Sequence, residues 1–290
     1  MGKKSRRKKL VPGKAPRPII PHVARPFEGM SAEADLVAMR EIIPAATLDA
    51  TTTDEYGSTP FQFVTLLPGG APAMVRDDGQ ILIALQTRSA TRDAAHDLGV
   101  ALSAALKRKK LIDEGEADAG TLTVDVRDAG PRIPDMIASA KPMELQENLG
   151  FWVSPGSRDE QVEQAIEDTS KELIPTRAVP GTTNTYWHDM GKHFVRWIRL
   201  EDEDQLFTAL ARLQAAGDLK LENAQFIGAF RALGLSIPVF EFPEPVEAEA
   251  LTDSVLALEA KLEAALQNEE PLNDDEKRAR AGLVSRQVSL

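Results

Sequence analysis

The residue types best able to do chemistry gather in one stretch, YWHDMGKHFVRWIR at 186–199, where Trp187 and Trp197 alternate with His188, Lys192, His193, Arg196 and Arg199. Aromatic rings that stack on bases, beside cations that meet phosphates, are how single-stranded nucleic acid is held. Two histidines across a tight turn could also ligate a metal, but such a site needs a third ligand and nothing nearby supplies one. No metal and no cofactor is therefore assigned. The plainer expectation is that Trp197 packs in a core and that His188 and His193 face solvent. A further candidate is Arg231 in GAFRALG, 228–234, which could clamp an anion. The commoner explanation of that segment is a short helix with Gly234 as its C-cap. The phosphate-loop, dinucleotide and nucleophile-elbow patterns are absent, and no catalytic residue is assigned. The acid-rich stretches DEGEAD and NEEPLNDDE lack the spacing and central glycine of a calcium loop and read as solvated linkers.

Charge supplies the second chemical feature. The chain of 290 residues carries a net −11, yet residues 1–27 hold nine Lys/Arg and no acid, while residues 28–290 hold 25 Lys/Arg against 45 Asp/Glu. A +9 arm is thus attached to a −20 body. The body repels phosphate backbones over a screening length of roughly 8 Å at physiological salt, so a nucleic-acid contact belongs to the arm or to a local patch. Lys3, Lys4, Arg6, Arg7, Lys8 and Lys9 are the candidate nucleic-acid-binding residues. Leu10 and Val11 run straight into Pro12, Gly13 and Lys14, so the basic start is not followed by the apolar core of a signal peptide. Arg6 stands where an acylation signal wants Ser or Thr, and no apolar run is long enough to span a membrane. The chain has no cysteine, which removes disulfides and thiolate ligands and favours a cytoplasmic setting.

The elements that must position these residues follow from hydrophobic period and punctuation. Residues 1–26, with five prolines among the cations, read as a disordered arm. Ser31 is placed as the N-cap of a short helix that Pro44 ends, and AATL follows as a strand. FQFVTLL is a strand beyond the turn-rich TTTDEYGST, and PAMVRDDGQILIALQ is the strongest hairpin signal. A helix over about Thr91–Lys107 and a solvated linker precede the alternating strand TLTVDV, with GFWV as another candidate strand. Ser157 and Glu160 form a capping-box pattern opening a helix whose buried face is Val162, Ile166, Thr169 and Leu173. A hairpin around HDMGK, a helix over about Asp202–Ala216, a strand SIPVFEF, a helix over Thr252–Gln267 and a short turn capped by Asn273 and Glu276 complete the list.

One order of elements is visited twice. Arg40 to Pro44 match Lys171 to Pro175, and at a second, gapless offset Pro68, Gly69, Asp77 and Gly79 match Pro180, Gly181, Asp189 and Gly191. On that alignment Trp187 and Trp197 stand where the first copy has Val75 and Leu85, ordinary core residues. The fold expected is α+β: two related lobes of helix, strand, β-hairpin and helix with a pseudo-two-fold internal repeat, a C-terminal helical segment and a basic N-terminal arm. The domains are placed at 1–26 for the arm, 27–112 and 113–245 for the lobes, and 246–290 for the C-terminal helix and basic tail.

Several stretches taken together, RPFEGMSAEADLVAMREIIPAATL, LARLQAAG, GAFRALGLSIPVFEFPE and DEKRARAGLVSRQVSL, resemble an uncharacterised actinobacterial family, a domain of unknown function, from about Arg25 to the end. The resemblance implies no established activity or ligand. Many members of that family carry a SEC-C-type zinc motif before the RPFEG stretch; the basic arm stands in its place here. The function expected is a soluble binding or adaptor protein whose arm contacts RNA, the ribosome surface or another polyanion while the body engages a protein. Two alternatives remain open: an enzyme or small-molecule binder with a site between the lobes near Trp187, His188, His193, Arg196 and Arg231, and a structural protein whose arm docks on its own acidic body. Oligomeric state is left open.

Overall fold

The run ILIAL has no polar position because its strand is covered on both faces. The computed structural model describes residues 18–289. Its first half runs α1 (Glu33–Glu41), β1 (Ala46–Thr52), β2 (Pro60–Leu66), β3 (Ala73–Val75), β4 (Ile81–Gln86), α2 (Ala94–Asp113), β5 (Gly120–Leu122), β6 (Ile137–Ala140) and β7 (Glu144–Leu145). These strands form one sheet in the order β5-β3-β4-β2-β1-β6, with β7 also paired to β1. The strand pair β2–β4 is parallel and the rest antiparallel. Ile81, Ile83 and Leu85 face α1 and α2, while Leu82 and Ala84 pack with Val64, Leu149 and Phe151 on the other side. The α2 stripe of Leu98, Ala101, Leu102 and Ala105 is buried as its period requires. Its N-cap is Asp93, whose carboxylate accepts from Ala95 N–H at 3.0 Å and is held by Arg132 at 2.7 Å.

The second half runs α3 (Glu160–Ser170), β8 (Thr176–Ala178), β9 (Thr185–Asp189), β10 (His193–Trp197), α4 (Glu203–Ala216), β11 (Gln225–Ala232), β12 (Leu235–Phe242), α5 (Thr252–Leu266), α6 (Asp274–Val284) and β13 (Gln287–Ser289). Its sheet has the order β13-β11-β12-β10-β9-β8. One face carries α4, α5 and α6 in a core built on Trp197, Phe207 and Phe240. The opposite face turns toward the first half, so Tyr186, Ile198, Leu235 and Ile237 share a core with α1 and the first sheet. That is why α1, a helix of nine residues, buries Leu36, Val37, Ala38 and Met39 in succession and not a single stripe. The protein is a mixed α+β fold in which one core joins both halves.

Several expectations change. GAFRALG is not a helix: it forms the end of β11, and Leu233 and Gly234, both with positive φ, make the two-residue turn into β12. Gly234 fits a helix cap in sequence because a left-handed glycine serves either purpose. A Cβ there would also meet Ala24 O at 2.9 Å and Arg25 Cβ at 2.6 Å, so the turn can approach the N-terminal segment only as glycine. The N-cap of α3 is Asp159, which accepts from Val162 N–H at 2.9 Å; Ser157 instead bonds Asp77 at 2.5 Å. On α3 only Ile166 is buried, and Thr169 is exposed. GFWV forms a turn of 3-10 helix, and TLTVDV is strand only over its first two residues. The N-cap of α1 is Ala32, not Ser31. Asn273 and Glu276 do form a capping box, and it opens α6, a helix of 11 residues.

The boundary placed at residue 112 falls within the first half, because β5, β6 and β7 are strands of the first sheet. Strands of two to four residues carry too few side chains for an alternating pattern. The C-terminal segment is no separate unit either: α5 and α6 pack on α4, and β13 pairs with β11. Both halves have the order helix, strand, hairpin, helix, but β8 pairs directly with its hairpin whereas β2 stands between β1 and the hairpin β3–β4. The similarity is one of element order, not of sheet topology. No described helix is long and apolar enough to cross a membrane.

Candidate functional site

Alternation along β9 and β10 divides the candidate residues between two faces of the second sheet. Val195 pairs with Trp187 and Trp197 with Thr185, on the face toward the helices. Trp187 and Trp197 are both core residues there, as their counterparts Val75 and Leu85 are. His193 lies on this face at the sheet's end, edge-on to Trp187 at 4.8 Å between ring centroids. Its Nδ1 accepts from Val246 N–H at 2.9 Å, leaving Nε2 directed toward Asp189 at 4.0 Å. The ring anchors the segment that leads into α5.

His188 and Arg196 lie on the other face. Far from facing solvent, His188 is fully buried, because the first half covers this side of the sheet. Thr176 Oγ1 lies 3.0 Å from both Ile174 O and His188 Nδ1, so its hydroxyl bridges the carbonyl and the ring. Burial, with a smaller contribution from the nearby Arg196 charge, pushes the His188 pKa down to about 3. The imidazole is neutral at physiological pH. Arg196 contacts Met190 Sδ at 3.3 Å and its guanidinium carbon lies 5.9 Å from the Phe230 ring centroid. With the two histidines on opposite faces, they do not converge on one ion or ligand.

Arg231 belongs to a third location. It makes a two-pronged ion pair with Glu203 in the first turn of α4, where Gln287 also donates to Glu203 at 3.0 Å. Partial burial pulls the Glu203 carboxyl upward, but the hydrogen bonds from Arg231 and Gln287 outweigh it and hold the group below its usual range. This pair lines a cleft of about 750 Å³ between the two halves. Arg25 crosses its wall: Nε and Nη2 bind Glu33 at 2.6 and 2.9 Å, and Nη2 also reaches Leu200 O at 3.2 Å. Arg40 donates to Leu85 O at 2.9 Å, and Arg92 has no side-chain hydrogen bond or ion pair among the described residues. Carboxylates at 28, 201, 202 and 203 line the same space, so it is a polar cleft of mixed charge rather than an anion trap.

Sequence reading missed this cleft, since its residues run from His22 to Gly234 and no local pattern joins them. The one signal was indirect: RPFEG and GLSIP, which meet where Gly234 touches Arg25, are both among the stretches that carry the family resemblance. Lys3, Lys4, Arg6, Arg7, Lys8 and Lys9 lie outside the described residues. The chain from residue 18 is irregular and Ile19 is 93% exposed. It becomes fixed at Val23, whose N–H donates to Arg92 O at 3.0 Å, and at Pro26, whose carbonyl accepts from Arg132 at 3.2 Å. Residues 23–26, expected in the arm, therefore belong to the body, and the arm departs from the rim of the cleft.

Fold and cleft together define a two-sheet α+β protein whose halves share a core and flank a polar interlobe space. Residues 26–290 match the model of a family described as a family of unknown function (DUF5926), and the chain belongs to that family. Comparison with curated proteins and with solved structures returns no match.

Proposed function

We propose that the protein is a binding protein whose basic N-terminal segment engages a polyanion, RNA being the best fit, while the body holds that segment beside the interlobe cleft. The observation that carries this reading is charge placement: nine cations and no acid in residues 1–27 precede a −20 body, to which the chain is tied from Val23 to Pro26. An acidic body disfavours phosphate contact everywhere else, so the segment is the element suited to it. Labelled single-stranded RNA, titrated with the intact chain and with one lacking residues 1–17, tests the proposal by anisotropy. The truncation removes eight cations and leaves Val23, Arg25 and Pro26 in place. Loss of binding on truncation supports the reading; equal binding by both refutes it.

A second reading, a polar small molecule in the cleft, is favoured by one observation: Arg92 lines that 750 Å³ space without a partner among the described residues. Binding that survives truncation but is lost in Arg92→Gln would support it. The first proposal expects the reverse.

A further inference from the structure

On the face of the second sheet that meets the first half, α1 stops short and leaves a groove of about 340 Å³ uncovered. Its floor is the apolar side of β10, β11 and β12, with Phe230, Val239 and the 41%-exposed Ile227. Two arginines, Arg196 and Arg286, line the same groove. Among the described residues neither has a carboxylate within ion-pair distance, although the body carries 20 more acids than Lys/Arg. Among the described residues the Arg286 side chain donates to Gly282 O at 3.2 Å, and Arg196 reaches Met190 Sδ through Nη2 while its Nε is buried with no hydrogen-bond partner. A half-buried guanidinium with one unmet donor carries a cost that an anion beside it would reduce. Burial accordingly weighs against the charged form of Arg196, with no opposing carboxylate. Among the described residues the acid on the wall is Glu41, already paired with Arg40 at 3.4 Å.

We infer that this groove binds an amphipathic monoanion, an acyl or aryl chain ending in one carboxylate, with the chain on Phe230 and Val239 and the carboxylate held by Arg196 and Arg286. The volume lies at the lower end of small-molecule sites, about 300 to 1,000 Å³, and an apolar floor with a few polar groups in its lining is typical of them. A guanidinium suits a carboxylate because its planar donors match the two oxygens. Glu41 disfavours a second negative charge on the ligand. The site shares no lining residue with the cleft, and it stands or falls independently of the RNA proposal.

The test is calorimetric titration of the full chain with decanoate, decanol and decanedioate, alongside displacement of 1-anilinonaphthalene-8-sulfonate. Decanoate is expected to bind at one site and to displace the probe, with decanol and decanedioate at least tenfold weaker. Arg196→Met, which keeps the apolar volume, is expected to weaken decanoate at least tenfold and to leave decanol unchanged. Arg286→Gln, at an exposed position, gives the same reading at several-fold should the first variant fail to fold. Absence of decanoate binding below millimolar concentration, equal binding of decanol, or binding within twofold of the parent in the folded variants would overturn the inference.

Discussion

A buried histidine that stays neutral makes the folded state sensitive to acid, and His188 allows the size of the effect to be worked out. Its folded pKa is depressed to about 3, whereas an unfolded chain titrates near 6.5. Between those values the unfolded state binds a proton that the folded state does not, so stability falls as pH falls. The contribution is intact above about pH 6.5 and is lost progressively down to about pH 3. At pH 5 the loss is about 2 kcal/mol, from 1.36 kcal/mol for each pH step below the unfolded pKa. Denaturant unfolding at pH 7.5 and 5.0, for the parent and for His188→Gln, isolates it. Glutamine keeps a donor toward Thr176 and cannot titrate, and the many carboxylates affect both proteins alike. The parent should lose about 2 kcal/mol more than the variant over that interval. A difference below about 0.5 kcal/mol, or an imidazole resonance that titrates above pH 5.5 in the folded protein, would contradict the buried, neutral assignment.

Other expectations are more local. Gly234→Ala forces a left-handed φ on a residue with a Cβ and drives that atom into the Ala24–Arg25 backbone, so a loss of about 2 kcal/mol or more is expected on denaturant unfolding. Asp93→Ala removes the N-cap of α2 and leaves Arg132 without its carboxylate, for a loss of about 2 kcal/mol, with Asp93→Asn recovering the cap but not the ion pair. Asn273→Ala breaks the capping box of α6 and should cost about 1 kcal/mol, read as lower thermal stability.

What could be read from sequence were features whose cause is local. Asn273 with Glu276 caps α6 because a side-chain oxygen beside the first turn is sufficient. The β3–β4 hairpin was legible because Asp77, Asp78 and Gly79 separate two apolar runs. His188 was not, because alternation in β9 says that it opposes Trp187 but cannot say that both faces are covered; that depends on α1 lying over the second sheet. In β11, Gly228 and Gly234 resemble helix boundaries in sequence, whereas one sits at a bulge and the other in a turn. The interlobe cleft depends on contacts between residues far apart in the chain, such as Arg25 with Leu200 O, 175 positions apart, and no periodicity encodes those.

The central claim, that the basic segment carries polyanion binding, is tested most directly by the salt dependence of RNA affinity. If six cations of residues 3–9 each neutralise a phosphate, log K against log salt should have a slope of about −4, a loss of about 300-fold between 50 and 200 mM. The intact chain should show that slope and the chain lacking residues 1–17 should show no measurable affinity. A slope near zero, or the same slope in both proteins, would contradict the account.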